Sequence, residues 1–501
     1  MERALKVMLL AVLTLLAAVG TNATAPTTWI DVVDTYGADP TCTKDAGPAI
    51  NSAIAGVSGA GGVLFFQTGC YLIQTQILDT NAMAPSFSAP GITYLGYGRV
   101  TFLAGAGLTG SIMQFGDGNH IVRHRKISNI VFACGPDNPP GNAAGFTVGL
   151  KLDGLTNSEF DDVEIRRCSN FGLETFGDNP NNDVNFFGGE VIAGPATPIA
   201  GYPGKIVNYG VLIRPNSDGW SFHGTLFDGS LDGSAGVGIE VDSSGFTCAG
   251  CTVRNWEIGL AAALISTVNG VEVSGGTYSG NAVQIRAGLD YGSGSPIRVH
   301  GLSIHGASIE SDIQSPGALQ SNFCVDLQQV DGFAISGNHF RHCELASVRG
   351  LAEYPVSNFL TGGTYGGILG PNDIAQSGPY DVHGHNITLL GDPCNVSVSP
   401  AFCNSGVDVD GHLAQLGSGT VVIAADATSV TILDTFVNAG SRIFVSEDLT
   451  LGPKYDVPVT CNTAMGRTYS VTSKIPGKSF TITASAAPVG SPACLAFRVD
   501  N

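Results

Sequence analysis

The sequence predicts an all-β protein: a right-handed parallel β-helix, a solenoid, with a short N-terminal capping helix and a small C-terminal β-sandwich-like module. Three observations carry the prediction. Five segments, GWSFHGTLFDG (219–229), GFTCAGCTVRN (245–255), GVEVSGGTYSG (270–280), GLSIHGASIES (301–311) and GFAISGNHFRH (332–342), share one pattern. Glycine opens each, an apolar residue follows three positions on, a second glycine at five and another apolar residue at eight, with starts 26, 25, 31 and 31 residues apart. A second alternating pattern falls between the units, as GVLIR (210–214), GVGIEV (236–241), AVQIR (282–286) and FCVDL (323–327). No helix-period segment separates them, so each unit reads as one rung of two or three short strands whose inward apolar residues stack on the next rung. Weaker copies lie upstream at 158–168 and 184–194.

Taken in order, residues 1–25 read as a secretory signal peptide: Arg3 and Lys6, an apolar run from Val7 to Val19, then small Ala23 and Ala25 before the expected cleavage. The domain expected next spans 26–415. In its first part Asp45 is placed to cap a short helix whose Ile50, Ile54 and Val57 make one apolar stripe, flanked by segments that read as strands. Such a helix covers the open end of a sheet stack. After about residue 345 the repeat fades into a loop-rich stretch, and residues 416–501 alternate again as a separate β module.

Composition narrows the function. The 501 residues carry 23 basic and 42 acidic side chains, a net charge of -19, with 43% hydrophobic and 13% charged. Removing the signal leaves 21 basic and 41 acidic, or -20. Nucleic acid and anionic membrane surfaces are excluded as partners, because both require a basic face. Twelve cysteines in an exported chain point to disulfides. Nearest-neighbour pairing gives Cys42 with Cys70, Cys134 with Cys168, Cys324 with Cys343, Cys394 with Cys403 and Cys461 with Cys494. Cys248 and Cys251 read as a local disulfide or packed thiols, since no second pair completes a zinc site; no metal is expected.

The opening IDVVDTYGADPTCTKDAGPAINSAIAG followed by GGVLFFQTGCYLI, with the repeats behind it, resembles the pectin-lyase-like β-helix superfamily, in particular its rhamnogalacturonase, epimerase and pectate-lyase-like group. The resemblance implies a secreted protein acting on polysaccharide by hydrolysis, β-elimination or epimerisation. The chain departs from that family's hydrolase signature: Asp161 and Asp162 are adjacent acids and residues 383–385 read HGH, but NTD and RIK segments are missing. No catalytic residue carries over by resemblance.

Candidate residues therefore come from outward acids on the rungs, because glycoside hydrolysis uses two carboxyl groups across the bond. Side chains at i and i+2 of a strand share a face about 7 Å apart, inside the roughly 6.5–9.5 Å of an inverting pair. Glu240 with Asp242, and Glu310 with Asp312, meet this condition and are the candidate catalytic pairs. Asp228 aligns with Arg166, Arg254, Glu310 and Arg341 in one charged column, and Arg214, Glu240, Arg286 and Gln328 in another. Such columns grip a polysaccharide or form surface ion pairs. Glu174 and Asp178, in the loop segment GLETFGDNPNNDVN, are expected substrate contacts. A lyase would instead draw on Arg254 and His223, with calcium as its cofactor; a hydrolase needs none. The third class is a non-catalytic glycan-binding or adhesive protein.

Overall fold

A computed structural model describes residues 28–80, 91–134, 147–193, 209–229, 236–289, 297–311, 323–389, 418–447, 461 and 467–500, apart from breaks of one to five residues within them. The signal segment, Asp178, Asp312, His383, Cys394 and Cys403 lie outside the described residues.

The repeat forms three parallel stacks. Strands such as Trp220–His223, Phe246–Ala249 and Val268–Ser274 make the first, and Leu226–Asp228, Thr252–Arg254 and Thr277–Ser279 the second. Together they form a 24-stranded sheet, while Tyr209–Ile213, Val237–Val241, Ile258–Ala262 and their successors form an 11-stranded third stack. The ladders between these rungs are parallel, as between Phe222 and Cys248 or between Ile239 and Leu260, and upstream ladders carry local register shifts. This is a parallel β-helix, wound with the right hand that parallel crossovers adopt.

The paired glycines mark the corners. Gly219, Gly245, Gly270, Gly301 and Gly332 open the first-stack strand, and Gly224, Gly250, Gly275, Gly306 and Gly337 follow it, all with φ between 63° and 76°. Only glycine takes that left-handed turn without steric cost, and Asn and Asp tolerate it best among the others. Upstream rungs use that tolerance: Asn157 (φ 50°), Asp162 (φ 51°) and Asp183 (φ 56°) stand where glycine stands later. Asp162, half of the adjacent acid pair, is thus a corner residue.

Inside, Phe160, Phe186 and Phe222 stack at 4.3 Å and 4.8 Å between ring centroids. Near the N-terminal end the core holds one buried polar cluster, in which Asp79 accepts from Arg125 Nε at 2.6 Å and from the Tyr94 hydroxyl at 2.6 Å. The expected capping helix spans Gly47–Val57 with Ile50, Ile54 and Val57 buried, and Asp45 Oδ1 accepts from Gly47 N at 3.0 Å as its cap. A second short helix, Val32–Tyr36, replaces part of the strand expected before it because Asp31 caps it through the N–H groups of Val33 and Asp34.

The solenoid outlasts the visible repeat. Thr364–Leu369 and Asp373–Ala375 continue the stacks through the stretch expected to be loop-rich, to about 375, and Tyr380–Val382 and Gly384–Leu389 carry them beyond it. Gly367 takes an inward place there against Phe333, whose ring leaves no room for a Cβ, which hides the apolar period. Beyond residue 417, two three-stranded antiparallel sheets enclose a separate core that includes Val421, Ile423, Phe480, Ile482 and Leu495. Four of the five nearest-neighbour cysteine pairs are disulfides, and Cys248–Cys251, left open between a disulfide and packed thiols, is a fifth, as suits an oxidising compartment. Among the described residues no helix is long and apolar enough to cross a membrane.

Candidate functional site

The outward face of the third stack carries the strongest concentration of perturbed charge. Its position is set by a glycine contact. Gly210 and Gly238 lie over the buried Trp256 ring, and a Cβ on either would approach it within 3.1 Å or 3.0 Å while meeting the next rung's carbonyl oxygen at 2.5 Å or 2.6 Å. That fixes Tyr209 opposite Val237, and therefore Leu212 opposite Glu240. The resulting outward column runs Lys151, Glu174, Leu212, Glu240, Ala261, Arg286, Asp326, Arg349.

The structure corrects the expected alignment of Arg214, Glu240, Arg286 and Gln328. Glu240 and Arg286 do share the column, but Arg214 and Gln328 lie two residues past it. The GVG of residues 236–238 offers two glycines as partner for Gly210, and the one above Trp256, Gly238, is the one selected. Arg214 follows its strand and turns back to Glu174, with Nη2 and Nε at 2.6 Å and 3.2 Å from Oε1, while its own N–H donates to Thr175 Oγ1 at 2.7 Å.

Glu240 and Asp242 come together more tightly than their spacing suggests. The 7 Å separation holds for a strand that continues, but this one ends at Val241, so Asp242 begins the turn. The Asp242 carboxyl acts directly on that of Glu240, and the residues are only 2% and 1% exposed. Asp242 Oδ1 accepts the N–H groups of Leu264, Ile265 and Ser266 at 2.8, 2.7 and 3.3 Å. Glu240 Oε2 and Asp242 Oδ2 have no N–H or O–H donor among the described residues. A buried carboxyl beside a second carboxylate is pushed toward its neutral form. Burial, then the Asp242 charge and hydrogen bond, push the Glu240 carboxyl up to about 8, against the opposing pull of Arg214 and of the Tyr209 hydrogen bond. Burial and Glu240 in turn push the Tyr209 hydroxyl well above its ordinary range.

Beside this pair, Phe176 is 44% exposed with Lys151 Nζ 3.9 Å above its ring and the Arg214 guanidinium 5.9 Å away. Further along, Asp326 is wholly buried and accepts from Arg349 Nε at 2.8 Å, Gln328 Nε2 at 2.9 Å and Arg286 Nε at 3.3 Å. Tyr209, Phe176, Lys151 and Asp326 were not singled out from the sequence. The recurring position ahead of the glycine (Tyr209, Val237, Ile258) and the aspartate of FCVDL were the available signals.

The other expected site residues lie elsewhere. The second-stack column of Arg166, Asp228, Arg254, Glu310 and Arg341 is in register as expected, with Ile192 and Ser279 between. Asp228 accepts from Arg254 Nη2 at 2.7 Å and from Asn255 Nδ2 at 2.7 Å. Glu310 is thus on a different face from Glu240, and its partner Asp312 is outside the described residues. His223 belongs to the first stack, its ring stacked on Phe187. No group of three or more His, Cys, Asp or Glu side chains poised for a metal was found among the described residues.

This architecture and site define a right-handed parallel β-helix protein with a buried pair of carboxyl groups on one face of its third stack. No family model and no curated protein matches the chain. Among solved structures, the Dettilon tailspike protein is similar over 94% of each chain at 12% identity and a TM-score of 0.48. The A-module of an Azotobacter vinelandii mannuronan C-5 epimerase is matched by 73% of this chain over 100% of its own, at 15% identity and a TM-score of 0.45. PfbA, a surface adhesin of Streptococcus pneumoniae, is matched by 72% of this chain over 87% of its own, at 12% identity and a TM-score of 0.46.

Proposed function

We propose that the protein is an exported polysaccharide-acting β-helix and that it hydrolyses a glycosidic bond on the outward face of the third stack, with Glu240 as general acid. What supports this reading is the proton on Glu240: a carboxyl raised to about 8 still holds its proton at neutral pH, as a leaving-group acid must. Asp242, in contact with it, tunes that proton and cannot also stand across the bond. Glu174 takes the role of base. It lies two rungs away, about 9.6 Å between backbones, with its carboxylate held by Arg214. Water loses a proton to Glu174 as its oxygen attacks the anomeric carbon, the glycosidic bond breaks, and the departing oxygen takes the proton of Glu240. Inversion at the anomeric carbon is the expected outcome. Arg254 and His223, the residues a lyase would use, are on two other stacks.

The burial of Glu240 and Asp242 favours a second reading, in which the face binds a glycan without cleaving it and the pair only fastens the Leu264–Ser266 turn. The experiment exposes purified protein, with and without calcium, to pectic, alginate, xylan and glucan polymers, following reducing ends and the absorbance of unsaturated products together. New reducing ends without that absorbance support hydrolysis. Both signals rising together mean a lyase. Binding without either signal selects the second reading.

A further inference from the structure

A different face of the solenoid carries an independent feature. On the first stack the outward register runs Phe187, His223, Ala249, Ser274, His305, and beside it Ser221, Thr247, Glu272, Ser303. Two imidazoles thus stand three rungs apart, about 14 Å, with only Ala249 and Ser274 between them. The side chains make a trough with a small-residue floor and two flat walls.

Each wall is held in place. The His223 ring lies parallel to Phe187 at 5.0 Å between centroids and 10° between planes, and its Nε2 is 3.1 Å from Ser221 Oγ. Phe187 covers one face of His223, leaving the other turned toward Ala249. His305 has Nδ1 3.3 Å from Ser303 Oγ and Nε2 3.8 Å from Glu272, and the two side chains are 47% and 48% exposed. Thr247 and Glu272 supply hydroxyl and carboxylate groups along one edge.

We infer that this trough is a binding subsite for an uncharged sugar residue of a glycan. The apolar face of a sugar ring packs on the free face of His223, as aromatic surfaces take up flat partners, and its hydroxyls donate to Glu272 and exchange hydrogen bonds with Thr247. The charge pattern selects the ligand class. Neither outward column from Ser221 to Ser303 nor from His223 to His305 contains a lysine or arginine, and Glu272 repels a carboxylate or sulfate. The subsite is independent of the Glu240 face and of whether that face is catalytic.

Binding of the full-length mature protein to soluble neutral glucans, xylans and mannans, and to pectate as the charged comparison, is measured by affinity electrophoresis at pH 7.5. The wild type is expected to be retarded by at least one neutral polymer. Ser274→Trp fills the trough and is expected to abolish that retardation, and His223→Ala to weaken it by roughly 3- to 10-fold, the size of one aromatic contact. Ser279→Trp, which puts the same bulk on the second stack, leaves it unchanged. Circular dichroism reports whether each variant is folded, and Ala249→Trp replaces Ser274→Trp if that one is not. Retardation by pectate alone, no retardation by any neutral polymer, or equal retardation of the wild type and a folded trough-filled variant overturns the inference.

Discussion

The second and third stacks carry the same kinds of residue in the same kind of register, yet they differ chemically. On the second stack Asp228 and Arg254 pair in the open, with the arginine side chain 46% exposed. On the third, Glu240 and Asp242 are buried, and the Glu240 carboxyl is pushed up. Sequence spacing treats Glu240 with Asp242 and Glu310 with Asp312 as equivalents. What separates a surface ion pair from an acid with a shifted pKa is desolvation, and desolvation is decided by where the strand ends and what the next turn brings over it.

The comparison is broken most severely by Asp242→Ala. It takes the Asp242 acceptor from the N–H groups of Leu264, Ile265 and Ser266, which are part-buried, so each loss costs less than the about 1–3 kcal/mol of a fully buried donor. A loss of about 2–4 kcal/mol in chemical denaturation is expected. A loss below about 1 kcal/mol would put the two stacks on the same energetic footing.

Glu240→Gln keeps the shape and hydrogen-bonding capacity of the side chain but removes the acid. Hydrolysis is expected to fall by roughly 10²-fold or more with folding retained, and the alkaline limb near pH 8 in the wild-type profile should disappear. An unchanged rate and profile would take Glu240 out of the chemistry.

How much of this was legible in the sequence depends on which residues set it. The corners were, because Gly219 and Gly224 and their successors mark left-handed turns that few other residues adopt; so were four disulfides and the Asp45 cap. The upstream corners were harder to read, since Asn157 and Asp162 meet the same backbone need with different letters. The site was half legible. Glu240, Asp242, Glu174 and Arg214 are together, but the partner of Arg214 depended on which glycine of the GVG at 236–238 lies above Trp256, a contact from a later rung. The upward shift of the Glu240 carboxyl depended on the strand ending at Val241, which alternation does not reveal.

The pH dependence of stability sharpens the contrast further. Glu240 has its carboxyl raised from 4.5 to about 8 in the folded state, so the native protein binds more protons than the unfolded chain between those values. Its contribution is therefore fully present below about pH 4.5 and is lost as pH rises through about 8. The slope is about 1.4 kcal/mol per unit of pKa difference. Denaturation midpoints of the wild type measured against Glu240→Gln should diverge across that window, with the variant the flatter of the two. Parallel curves would mean that the pair holds no extra proton.

The smallest effect is expected on the second stack. Arg254→Ala removes the bridge to Asp228, but Asp228 keeps Asn255 Nδ2 at 2.7 Å and both Asp228 and Arg254 reach solvent. Exposed pairs of this kind contribute about 0–1 kcal/mol and are screened by salt. Stability should change by less than about 1 kcal/mol, and raising the salt concentration should shrink the difference further. If Arg254→Ala instead cost as much as Asp242→Ala and resisted salt, the outward faces of the solenoid would be electrostatically alike, and burial would no longer explain the raised Glu240 carboxyl.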